Sequence, residues 1–109
     1  NQMTIEELQE KLKIGNLAPT DCANYKAELA GWYSFFAGIE EELLVKRPEW
    51  WLAERLNQKS DKATDRAYEA TPDGILLMRT RSKLKRIEKM ISSLSSLLRT
   101  KEKEAQNIY

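Results

Sequence analysis

The chain has 109 residues, with 18 Lys and Arg against 17 Asp and Glu, no His and a single Cys. A net charge of +1 excludes the whole-molecule field as a guide to partners, and the lack of His removes the commonest general base and metal ligand. Cys22 alone can form neither an internal disulfide nor a thiolate metal centre, while 32% charged residues with only four Gly and three Pro is the composition of long paired helices.

Thr4-Ile5-Glu6-Glu7 matches a capping box, and Ile5, Leu8 and Leu12 then share one helical face. The pattern predicts a short helix over 4–14, stopped at Gly15, with a turn from Asn16 to Pro19. Thr20 or Asp21 is expected to cap a long second helix over 20–57. Its apolar stripe is Tyr25, Leu29, Trp32, Phe36, Ile39 and Leu43, stepping by four and three. Opposite that stripe lie Ala23, Ala27, Ala30, Gly31, Ser34, Ala37 and Gly38, all small. A solvent face normally carries Lys and Glu, and an interior Gly costs about 1 kcal/mol relative to Ala. Two readings explain Ala27, Gly31, Ser34 and Gly38: close approach of the N-terminal helix, or a second copy of the chain packed there.

Pro48 is expected to kink the helix or restart it. Trp50 and Trp51 follow; adjacent residues cannot both face one core, so one is expected to pack on the hairpin and the other to be covered by the connector or partly exposed, core filling being the default and an exposed one a natural anchor for a protein partner. Residues 58–71 are polar without a clear apolar period and read as a connector with one helical turn at most. A last helix over 72–107 starts at Thr71-Pro72-Asp73-Gly74, where Thr71 caps, Pro72 takes the first position and Asp73 suits the positive helix end. Its seam runs Leu77, Thr80, Leu84, Ile87, Ile91, Leu94, Leu98, Lys101, Ala105 and Ile108, and only Thr80 and Lys101 interrupt the apolar pattern.

These elements predict a single all-α domain: a long antiparallel helical hairpin, coiled-coil-like, with a short N-terminal helix across it. Symmetrical closure of that hairpin puts Glu40, Glu41 and Glu42 beside roughly residues 88–90 by helical rise. The longest uncharged stretch, Leu29 to Ile39, falls short of the ~20 residues of a membrane span, so no membrane association and a cytoplasmic setting are expected.

Charge is unevenly spread. Residues 1–58 carry six basic and ten acidic side chains, and residues 59–89 nine basic and five acidic. Arg79-Lys83-Arg86 and Arg81-Lys85-Lys89 form two ridges on the last helix, with Lys59, Lys62 and Arg66 in the connector near the same end. They suit nucleic-acid phosphates, or else they neutralise Glu40 to Glu42. Consecutive glutamates point about 100° apart, so a solvated face fits them better than a cation site. Isolated glycines give no phosphate-cradling loop. Binding without catalysis, cofactor or metal is expected, through self-association as a dimer and an unidentified protein partner, with nucleic acid as the alternative.

In outline the chain resembles small WXG-type secreted effectors, but Trp50 and Trp51 lack the glycine that defines those proteins. The run Lys59-Ser60-Asp61-Lys62, Asp65-Arg66 and Thr71-Pro72-Asp73-Gly74, followed by a basic helix, resembles small helical proteins of phage and prophage early regions. It spans about half of the chain and implies no functional residue.

Overall fold

The computed structural model describes residues 4–14 and 18–107, so the expected helix stop at Gly15, the first two residues of the expected turn from Asn16 to Pro19 and the seam position at Ile108 lie outside the described residues. Four helices follow one another: α1 (Ile5–Ile14), α2 (Pro19–Arg55), α3 (Asp61–Glu69) and α4 (Pro72–Asn107). Among the described residues there is no strand, and the all-α expectation holds. The two-helix, coiled-coil-like hairpin does not: the described residues form four helices, and the segment read as a connector contains α3.

Local chemistry sets the boundaries. Thr4 Oγ1 accepts the Glu7 N–H at 3.1 Å and opens α1. Helix α2 begins one residue before the expected position, because Pro19 itself takes the first helical place and the Ala18 carbonyl accepts the Cys22 N–H at 3.0 Å. It then continues through Pro48 to Arg55 without restarting. Proline removes one interior hydrogen bond. Leu43 and Trp50, on either side of it, pack into a core cluster that holds the segment helical.

Helix α3 was hidden by its composition. Ser60 adopts an extended backbone and its Oγ accepts the Ala63 N–H at 3.1 Å, an N-cap that starts the helix. Thr64 and Tyr68, four residues apart, form the buried face. The Thr64 hydroxyl donates to the Ser60 carbonyl at 2.9 Å, so a residue that reads as polar is buried without loss of its hydrogen bond. Two consecutive cappings finish the corner. Thr71 Oγ1 donates to the Tyr68 carbonyl and accepts from the Gly74 N–H at 3.0 Å, closing α3 and opening α4 with one side chain.

The chain divides into two compact units. One comprises residues 1–34 and 85–109: α1, the first part of α2 and the later part of α4. Its buried residues are Ile5, Leu8, Cys22, Leu29, Ile87, Met90 and Leu94, and Tyr33 donates to Glu88 at 3.0 Å. The other, Phe35–Leu84, comprises the rest of α2, all of α3 and the start of α4. Its core holds Leu43, Tyr68 and Leu77, with Ile39 and Trp50 packed against them. Thr80 is buried too, because its hydroxyl donates to the Leu76 carbonyl at 2.7 Å. Its place in the seam is therefore no break.

Within the second unit the register differs from symmetrical closure. Arg81, not a residue near 88, pairs with Glu40 at 3.0 Å. Helix α3 supplies the reason. It lets α4 begin alongside the last third of α2, where Thr71, Pro72 and Asp73 share a cleft with Lys46, Arg47 and Trp50, instead of at the end of α2.

The glycines of α2 and α4 sit in opposite circumstances. A Cβ added at Gly31 or Gly38 would meet nothing within 4 Å. Close approach of α1 therefore does not explain them. In dilute protein, Gly31→Ala and Gly38→Ala should each raise stability by about 1 kcal/mol, the helix-propensity difference, as a higher midpoint in urea. An unchanged midpoint would show that the two positions are already packed.

Candidate functional site

Three surfaces were singled out by the sequence, and the structure places each of them. The tryptophans both engage α3. Trp50 is half-buried with its ring edge-on to Tyr68, centroids 5.4 Å apart, and Trp51, also half-buried, donates Nε1–H to Asp65 Oδ1 at 2.8 Å. The same oxygen accepts from Arg47 Nη2 at 3.1 Å, and the Arg47 guanidinium stacks over the Tyr68 ring at 5.0 Å. Asp65 thus pins α3 to α2 through two donors. This cluster went unnoticed in the sequence, although Arg47 and Trp51 stand four residues apart and so share one face of α2.

The basic residues Lys59, Lys62, Arg66, Arg79, Arg81, Lys83, Lys85, Arg86 and Lys89 are all exposed. Two of them are engaged within the chain: Arg81 by Glu40, and Lys83, whose Nζ stands over the Phe36 ring at 4.9 Å. Neutralisation of the Glu40 to Glu42 run thus comes from Arg81, with no pair from Lys85, Arg86 or Lys89 among the described residues. Each ridge loses one member to these contacts. Among the described residues, no group of three His, Cys, Asp or Glu side chains converges as a metal site.

The outer face of α2 is the most unusual of the three. Ala27, Gly31 and Ser34 of the first unit are exposed, as is Gly38 of the second, and the space beyond the two glycines is open. Within the second unit, at about 100° per residue, Gly38, Val45 and Leu52 fall within an arc of about 40°. After Gly38 the exposed side chains on that line are large and apolar: Val45 is 75% exposed, Leu52 66%, and Leu56, just past the helix end, 87%. Single exposed apolar residues are ordinary on a surface; aligned ones at heptad spacing mark a contact face. Glu41 and Glu42 flank the line on its two sides between Gly38 and Val45.

No family model, curated protein or solved structure matches the chain. The likeness to phage and prophage proteins rests on the quoted motifs alone. No helix among the described residues is long and apolar enough to cross a membrane.

Proposed function

We propose that the protein is a non-catalytic helical assembly module that self-associates through the outer face of α2. The observation that carries this reading is the alignment, within the second unit, of exposed Val45 and Leu52 with Gly38, whose missing side chain serves no contact inside the chain. Glycine in a helix interior is unfavourable, and an exposed leucine adds nothing to the fold of a single chain. Both features become favourable when another helix lies against the face, since a Gly surface admits a near neighbour and an apolar side chain leaves water. Nucleic-acid binding is the less supported reading, because Arg81 and Lys83 are occupied within the chain.

Sedimentation velocity over a concentration series tests the assembly. The unaltered protein is expected to gain mass with concentration, while Gly31→Leu and Leu52→Glu remain single chains with unchanged helical circular dichroism. Both positions are exposed, so neither change should alter folding by more than about 0.5 kcal/mol through lost contacts. A single-chain mass for the unaltered protein at every concentration would overturn the reading.

A further inference from the structure

Two polar atoms of the second unit are buried without a hydrogen-bond partner: the Tyr68 hydroxyl and Arg47 Nε. They belong to neighbouring groups, since the Arg47 guanidinium stands 5.0 Å over the Tyr68 ring, and both residues line one cleft of about 280 Å³. Lys46, Trp50, Pro72 and Asp73 line it with them. A buried donor left unpaired costs stability, and the seating of α3 needs neither atom. The Tyr68 ring fills the core, and Arg47 reaches Asp65 through Nη2. Two unanswered polar groups beside one opening point to a ligand that answers both.

The wall of the cleft selects the ligand's chemistry. Arg47 Nε–H can only donate and the Tyr68 hydroxyl is able to, so the ligand supplies acceptors. Lys46 is exposed and has no ion pair among the described residues, which leaves its positive charge available at the rim. Helix α4 turns its positive end to the same place. Pro72 has no N–H and Thr71 accepts those of Gly74 and Ile75, so the Asp73 N–H is the donor left open in the first turn. Asp73 also brings a carboxylate, which opposes a doubly charged anion more than a singly charged one. The half-buried Trp50 and Pro72 add an apolar wall.

We propose that this cleft binds a small monocarboxylate with an apolar body. One carboxylate oxygen takes the Tyr68 O–H and the other the Arg47 Nε–H, Lys46 turns inward to balance the charge, and the body lies against Trp50 and Pro72. Both donor atoms are covered in the free chain, so the carboxylate meets them as the guanidinium tilts off the Tyr68 ring while Nη2 stays on Asp65. All of these residues belong to the second unit, and the binding does not depend on self-association.

Residue-resolved NMR of the full chain tests the site, with sodium benzoate as the probe, titrated into the millimolar range where a ligand of so few atoms binds. Saturable shifts are expected at the Trp50 indole and at the Asp73 and Gly74 amides. Tyr68→Phe keeps the ring in the core, so its spectrum away from the cleft should be unchanged while benzoate binds at least about tenfold more weakly. Lys46→Gln, at an exposed position, should weaken binding about threefold, and Lys62→Gln, on α3 outside the cleft, should not alter it. Benzamide, with nearly the same shape and no charge, and inorganic phosphate should both bind at least about tenfold more weakly than benzoate. An absence of saturable shifts at these residues would overturn the proposal, as would undiminished binding by Tyr68→Phe. Benzamide binding as tightly as benzoate would reduce the cleft to an apolar slot, and phosphate doing so would make it a general anion site; either result removes the monocarboxylate assignment.

Discussion

Gly74→Ala is expected to destabilise the protein by about 3 kcal/mol, at the upper end of the cost of forcing atoms into a filled site. A Cβ at this position would collide with the Tyr68 carbonyl oxygen and stand 2.8 Å from its carbonyl carbon and 2.9 Å from the Glu69 Cα. All three are backbone atoms of α3, so no side chain can rotate away. The clash can be relieved only by moving the start of α4 off the end of α3. That movement would strain the bridge in which Thr71 Oγ1 donates to Tyr68 and accepts from Gly74. Alanine brings a propensity gain of about 1 kcal/mol in a helix, which the clash exceeds. Gly31→Ala carries the same gain with open space around it and serves as the control. Thermal melts should separate the two variants by roughly 15 °C, at roughly 4 °C or more per kcal/mol for a domain of this size. A Gly74→Ala protein melting with the unaltered chain would mean that α3 and α4 are not pressed together at this corner.

Tyr68→Ala should cost about 3–5 kcal/mol, the usual loss for truncating a buried aromatic ring. Tyr68 is 4% exposed, sits with Leu43 and Leu77, takes the Trp50 edge and lies under the Arg47 guanidinium. Its hydroxyl is buried without a hydrogen-bond partner. Removing that oxygen alone relieves an unmet desolvation cost, so Tyr68→Phe should be neutral or stabilising by up to about 1 kcal/mol. The contrast is sharper than either variant alone. Chemical denaturation with matched slopes measures both, and a loss of 1 kcal/mol or more in Tyr68→Phe would show that the hydroxyl is satisfied in solution.

The helical character of the chain was legible because large apolar residues repeat at helical spacing. Leu77, Leu84, Ile87 and Leu94 on α4, and Leu29, Phe36 and Leu43 on α2, are buried where the periods put them. What failed was the topology. Helix α3 buries Thr64 and Tyr68 between charged residues, and nothing in a hydropathy period distinguishes a buried threonine bonded to Ser60 from a solvated one. With α3 missed, the long helices were assumed to close symmetrically, and the pairing of Glu40 with Arg81 could not follow. The small-residue stripe of α2 was legible as an anomaly, yet its exposure was not. Val45, Leu52 and Leu56 escaped notice because Glu49, Pro48 and Arg55 interrupt the apolar run. Their alignment with Gly38 becomes evident only when α2 is seen to run through Pro48 unbroken.

The way α3 is fastened makes the chain its own optical probe. Trp51 bonds to Asp65 and Trp50 packs on Tyr68, so two of the three tryptophans report directly on whether α3 is seated. Lifting that helix would disturb nine helical residues, whereas α2 and α4 together hold 37 and 36. Circular dichroism would barely register the event, while the indole emission would shift to the red. A gap between the two signals during gentle denaturation would therefore time the loss of α3 separately from the melting of the long helices.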